Sequence, residues 1–126
     1  MKIPDNLRYT KDHEWIRVEE DGTVVIGITD HAQSELGEIV YVEVETVGES
    51  VEAESEFGTV EAVKTTSELF MPITGEVLEF NDALENAPEQ INESPYEAGW
   101  IIKILPAAMR DVDNLLSAAE YRAEIE

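Results

Sequence analysis

The stretch HEWIRVEEDGTVVIGIT, His13 to Thr29, is the strongest local constraint on the fold. Two short apolar runs, Trp15 to Val18 and Thr23 to Ile28, meet at Asp21-Gly22, a dipeptide that reaches positive φ at little cost and closes a hairpin. More strand pattern follows. EIVYVEVETVGESV alternates through Ile39, Tyr41 or Val40, Val42 and Val44 before a turn at Gly48, the period of a half-buried strand. Phe57 to Val63 and Glu68 to Phe70 read as extended, Pro72 and Gly75 interrupt, Glu76 to Phe80 resumes, and Trp100 to Ile104 form a last strand.

Helical signals are short and peripheral. In TDHAQSELG, Thr29 or Asp30 can cap a start, Gln33 sits at the capping-box position and Gly37 suits an end, with Ala32 and Leu36 as the apolar face. NDALENAPEQ holds a further helical turn. Met109, Val112, Leu115, Leu116 and Ala119 recur at helical spacing, which predicts an amphipathic C-terminal helix over about 109–124. Gly37-Glu38-Ile39-Val40 is echoed by Gly75-Glu76-Val77-Leu78, the pattern of a duplicated β unit. The expected class is therefore mostly β, in one domain over residues 1–126 with a core of about 23–105 and no linker.

Composition narrows the function. Hydrophobic residues make up 43% of the chain, a globular proportion. Against that, 29 Asp and Glu face 8 Lys and Arg, a formal net charge of -21, which repels phosphate backbones and anionic membranes. Nucleic acid and membrane are not expected partners. A salt-rich cytoplasm, as in a halophile, is the leading explanation of the acidity, with an acidic docking surface as its rival. The chain has no cysteine, hence no disulfide and no thiol of its own. MKIPDNLRYT lacks the apolar run of a signal peptide, and no later segment approaches a membrane span, so a soluble cytoplasmic protein is expected.

Catalytic parts are few. There is no Gly-rich phosphate loop, HExxH or GxSxG. The two histidines, His13 and His31, each stand beside acids, but surface or helix-end histidines outweigh a catalytic dyad on that pattern alone. Lys64 is different: between Arg17 and Lys103 it is the sole Lys or Arg. By pattern it falls mid-sheet between Glu61 and Glu68, where a solvated lysine paired with carboxylates is the plain alternative. An exposed primary amine can also be acylated into a neutral amide tether, which would make Lys64 an attachment point.

Glu61-Ala62-Val63-Lys64, followed by Glu68, Pro72 and Gly75-Glu76-Val77, resembles the lipoyl-attachment motif of glycine cleavage system H proteins. The similarity extends through YTKDHEWIRVEEDGTVVIGITDHAQSELGEIVYVEV and SPYEAGWIIKI to Leu115-Leu116, nearly the whole chain. A biotin carrier would have Met on both sides of the lysine, where Val63 and Thr65 stand. Thr65, Met71 and Glu54 depart from the residues usual at those places in the family, and none removes the attachment chemistry.

The resemblance implies a flattened β-barrel, or barrel-sandwich hybrid, of lipoyl-domain type with Lys64 at the tip of a hairpin turn. It implies lipoic acid as a covalent amide on Lys64, and a non-catalytic shuttle that carries an aminomethyl group. The implied partners are a pyridoxal-phosphate glycine decarboxylase, a tetrahydrofolate-dependent aminomethyltransferase, dihydrolipoamide dehydrogenase and a lipoylating enzyme. It implies a surface cleft for the loaded arm, with Glu14 as first host for the cationic amine, Asp12 and Glu68 behind it, and His31 lining the site. The alternatives are an H-like lipoyl carrier for sulfur oxidation or lipoyl relay, and an unmodified acidic interaction domain.

Overall fold

A computed structural model describes every residue from Met1 to Glu126. Nine strands are present: β1 (Arg8–Tyr9), β2 (Glu14–Val18), β3 (Val24–Ile28), β4 (Ile39–Glu43), β5 (Ser50–Val51), β6 (Glu56–Ala62), β7 (Thr66–Phe70), β8 (Gly75–Phe80) and β9 (Ile102–Pro106). Three short α-helices accompany them, α1 (Asp30–Leu36), α2 (Gln90–Glu93) and α3 (Ala118–Ile125). One sheet has the order β1-β2-β3-β9-β8-β5 and the other β4-β6-β7. Apolar residues of both, among them Ile16, Ile26, Val77 and Ile104 from the first and Ile39, Val42, Val60 and Leu69 from the second, form a single core cluster. The fold is thus mostly β as expected, and its two sheets around one core agree with the flattened barrel-sandwich form.

The first hairpin shows how the sequence divides its apolar residues. Gly22 takes φ 87° at the turn, and β3 is buried along its whole length. Val24, Ile26 and Ile28 face the inter-sheet core. Val25 points the other way, into a second cluster with Tyr9, Trp15 and Tyr121. Strand alternation therefore feeds two cores from one strand. Gly27 pairs with Trp15 across the ladder, and a Cβ there would sit 2.6 Å from the indole, so the Trp15 ring lies on the space that glycine leaves open.

The internal echo has a structural counterpart. Along β4 the pairing steps from Ile39↔Ala62 to Tyr41↔Glu61; along β8 it steps from Val77↔Ile104 to Glu79↔Lys103. Each Gly-Glu-aliphatic-aliphatic unit thus places a β-bulge at its fourth residue, Val40 or Leu78, and both are exposed. The bulge also settles which residues of β4 face inward: Ile39 and Val42 are buried, Val40 and Tyr41 are not.

Several boundaries differ from expectation: β6 ends at Ala62 rather than Val63 and β7 begins at Thr66 rather than Glu68. The last strand begins at Ile102 rather than Trp100, although the Ile101 N–H already bonds the Ile26 carbonyl at 2.9 Å. The C-terminal segment is not one helix over 109–124. A 3-10 helix spans Met109–Asn114, the chain then extends, and α3 starts at Ala118. Leu116 exchanges two backbone hydrogen bonds with Tyr9, at 2.8 and 2.9 Å, and Ser117 with Glu120 forms a capping box that starts α3 afresh. The apolar periodicity is divided accordingly: Val112 and Leu115 pack on the main core, Leu116 and Ala118 on the second, while Ala119 is exposed.

Charge is left largely uncompensated. Among the Lys and Arg residues only Arg17 pairs with a carboxylate, Glu19 at 3.5 Å; the other ion pair joins His31 to Glu35. With a net charge of -21, self-repulsion opposes the compact state, and molar salt shortens its range to about 3 Å. The thermal midpoint is therefore expected to rise by several degrees between dilute buffer and molar potassium chloride. A flat or falling midpoint would show that the acidic surface carries no such strain.

Candidate functional site

Lys64 stands at the tip of the β6–β7 hairpin. Glu61 pairs with Thr66 at the last rung, the Ala62 N–H bonds the Thr65 carbonyl at 2.7 Å, and Val63 and Lys64 make the bend. The mid-sheet placement suggested by the residue pattern is thus corrected to a turn. Neither Val63 nor Lys64 has positive φ, so the turn needs no Gly or Asn, and none is there to signal it. The Val63 N–H donates to the Glu38 carbonyl at 3.0 Å, fixing the tip to the start of β4. Val63 is 67% exposed, Lys64 is exposed, and the Lys64 ammonium belongs to no ion pair. The alternative of a lysine held by neighbouring carboxylates is not what the structure shows.

From the tip, β7 runs along a cavity of about 280 Å³ whose lining includes Asp12, His13, Glu35, Leu36, Glu68 and Leu69. Ser67 begins its border, three residues past Lys64 or about 10 Å along the strand. The walls are mixed. Ile28, Ala32, Leu36, Val60 and Leu69 give an apolar surface, and Asp12, Glu35 and Glu68 bring carboxylates to its edge. Glu68 also presses on Glu56 across the sheet, whose carboxyl is raised by its setting and then by the Glu68 charge. Asp12 is held in a tight turn in which its N–H and that of Glu14 both donate to the Thr10 hydroxyl at 3.2 Å.

Glu14 lies behind this cavity rather than on its wall. As the first residue of β2 it shares the inward face with Ile16, and only 2% of its surface is exposed. Its Oε2 accepts the Phe70 N–H of β7 at 2.8 Å, and its Oε1 accepts from the Thr10 hydroxyl at 3.4 Å. Burial pushes its carboxyl up to about 8, with the Asp12 charge adding to the rise and the two hydrogen bonds opposing it. Near pH 7 it is mostly protonated. The carboxylates available to a cation in the cavity are therefore Asp12, Glu35 and Glu68.

His31 does not border the cavity. Its ring packs on that of His13, with centroids 4.7 Å apart, and its Nε2 meets Glu35 at 2.6 Å. His13 does border it, at φ 66° and with Nδ1 2.9 Å from the Tyr121 hydroxyl. Of the residues anticipated for the cleft, Asp12 and Glu68 are brought together, Glu14 is one layer deeper, and His31 touches the cavity residues His13 and Glu35 without bordering the cavity itself. His13 and Glu35 are additions on the cavity wall, and Tyr121 stands behind His13 without bordering the cavity. Only the adjacency of His13 to Asp12 and Glu14 hinted at the first, and nothing local marks the other two.

The family model described as glycine cleavage H-protein matches residues 7–126. A glycine cleavage system H protein of Bacteroides fragilis is 53% identical over 125 residues, covering 99% of this chain and 98% of the relative. One from Geobacillus kaustophilus is 55% identical with the same coverage. The crystal structure of a glycine cleavage system H protein from Mycobacterium marinum superposes with a TM-score of 0.89 at 41% identity, over 98% of both chains. These source organisms lend no support to a halophilic origin. An exposed lysine at a hairpin tip, a cavity alongside it and likeness along the full chain agree: the chain belongs to the glycine cleavage H-protein family.

Proposed function

We propose that Lys64 carries a lipoyl group as an amide and that the chain is a shuttle of the glycine cleavage system, moving an aminomethyl group between enzymes without catalysing the transfers itself. The observation that carries this is the unpaired Lys64 ammonium, presented on a turn braced by β4 and a short reach from a cavity with apolar walls and an acidic edge. When bound, the lipoyl group supplies the disulfide and dithiol chemistry that a cysteine-free chain lacks. The partners are then a pyridoxal-phosphate glycine decarboxylase, a tetrahydrofolate-dependent aminomethyltransferase, dihydrolipoamide dehydrogenase and a lipoylating enzyme, in the cytoplasm. No helix is long and apolar enough to cross a membrane.

The chain's own residues hold, present and shelter. The β6–β7 turn offers the Lys64 amine to the lipoylating enzyme. A lipoyl-lysyl arm spans on the order of 10–15 Å by bond counting, enough to reach Ser67 and the cavity beyond it. There Leu36, Val60 and Leu69 suit the aliphatic part of the arm, and Asp12, Glu35 and Glu68 suit a cationic end. Lipoylated protein added to the decarboxylase is expected to support glycine-dependent exchange of bicarbonate, and unlipoylated protein is not. Equal exchange with both forms would defeat the proposal.

A further inference from the structure

Tyr121 is a fully buried residue in a helix remote in sequence from the cavity, and its hydroxyl has two partners that both matter to the cavity walls. One is His13 Nδ1 at 2.9 Å. The other is the Thr29 hydroxyl at 2.7 Å. Thr29 is the N-cap of α1, receiving the Ala32 N–H at 3.2 Å, and α1 carries Ala32, Glu35 and Leu36 of the cavity wall. The Tyr121 ring is itself fixed by stacking on Tyr9 at 4.7 Å with planes 8° apart, and Tyr9 is joined by backbone to Leu116 just before α3.

We propose that Tyr121 is a positioning residue for the carried group: its hydroxyl ties α3 to two walls of the cavity and aims the unpartnered Nε2 of His13 into the space where the end of the arm sits. The inference rests on the reading that the arm occupies this cavity. His13 has reason to need such a clamp. Its φ of 66° is a left-handed conformation, uncommon in non-glycine residues although His, Asn and Asp adopt it more often than the rest, so the neighbours that contact its ring set where it points. With Nδ1 engaged by Tyr121, Nε2 is the one ring nitrogen without a protein hydrogen bond.

The groups around His13 define what its charge would do. Asp12 adjoins it, Glu14 follows it, His31 and Glu35 face it from α1, Tyr121 from α3, and Glu68 borders the same cavity from β7. Burial first, and then the neighbouring His31, hold the imidazole below the usual histidine range, against the pull of Glu35 and Asp12. His13 is accordingly a neutral wall residue at neutral pH. Protonation would place a second cation beside the one the carboxylates are there to hold. A ring released from Tyr121 would regain solvent and take up that proton at higher pH.

Tyr121→Phe keeps the stacking ring and removes only the hydroxyl. In unlipoylated protein, the His13 ring signals followed by NMR are expected to titrate at higher pH in Tyr121→Phe than in wild type. In loaded protein, hydrolysis of the carried aminomethyl group, returning thiol, formaldehyde and ammonium, is expected to accelerate roughly three- to tenfold near neutral pH, the size of one lost hydrogen bond. The acid limb of that rate should move up in pH with the His13 titration. Leu116→Ala, which trims side-chain packing on the second cluster beside α3 but keeps the hydroxyl and the backbone bonds to Tyr9, is expected to leave the His13 titration in place. An unchanged His13 titration in Tyr121→Phe, or an equal shift in Leu116→Ala, would overturn the positioning role. Failure of the underlying reading shows separately: loading would then leave the amide signals of Ala32 and Leu69 in the cavity wall unmoved in the wild type.

Discussion

Lys64→Arg is expected to fold as the wild type does, to accept no lipoyl group, and to reduce glycine-dependent bicarbonate exchange to the level seen without carrier. The stability change should stay within about 0.5 kcal/mol, because the side chain is exposed, joins no ion pair and keeps its charge. The functional loss should be complete, because a guanidinium remains protonated and delocalised and offers no free amine for acylation. Circular dichroism and urea midpoint establish the first half, and intact mass with the exchange assay the second. Exchange near the wild-type rate would place the arm on another residue.

The second large effect concerns stability. The folded-state value of Glu14, about 8, lies above its ordinary 4.5. A raised carboxyl contributes stability that is fully present below pH 4.5 and is lost as pH rises through about 8. Glu14→Gln removes that loss. Its amide oxygen can still accept the Phe70 N–H; the contact given up is the long one, the 3.4 Å bond donated by the Thr10 hydroxyl, whose oxygen already accepts from the Asp12 and Glu14 N–H groups. The variant is expected to match wild type near pH 4.5 and to exceed it by about 1–3 kcal/mol at pH 8–9, a discounted fraction of what the shift implies. Urea unfolding across this window isolates the effect, since every other titrating group is common to both proteins. Parallel curves would mean that Glu14 ionises as an ordinary surface acid does.

How much could be read in advance depended on whether a feature has a local chemical cause. The first hairpin was legible because Asp21-Gly22 serves a turn whose glycine takes positive φ. The Lys64 turn was not, because its residues keep negative φ and ordinary side chains suffice; the family resemblance placed it there. The bulges of β4 and β8 were latent in the repeated Gly-Glu unit, and the doubtful choice between Val40 and Tyr41 was their trace. Apolar spacing alone predicts a single C-terminal helix because it runs unbroken across Leu115-Leu116, although these leucines serve different clusters. Ser117 followed three residues later by Glu120 carried the signal that divides it. The cleft was legible only in part. Asp12 and Glu68 came from the resemblance, but the contact of His13 with Tyr121 joins residues 108 apart, and the burial of Glu14 follows from which face of β2 is closed by β7. No spacing rule reports either.

The central claim is that Lys64 is the attachment point of a lipoyl arm, and peptide mass mapping of protein purified from its own host tests it most directly. The peptide containing VEAVKTTSE is expected to carry one lipoyl group in amide linkage on Lys64, with Lys103 and the N-terminal lysines unmodified. A Lys64 that remains a free amine in actively glycine-cleaving cells, or a lipoyl group on Lys103, would contradict the account.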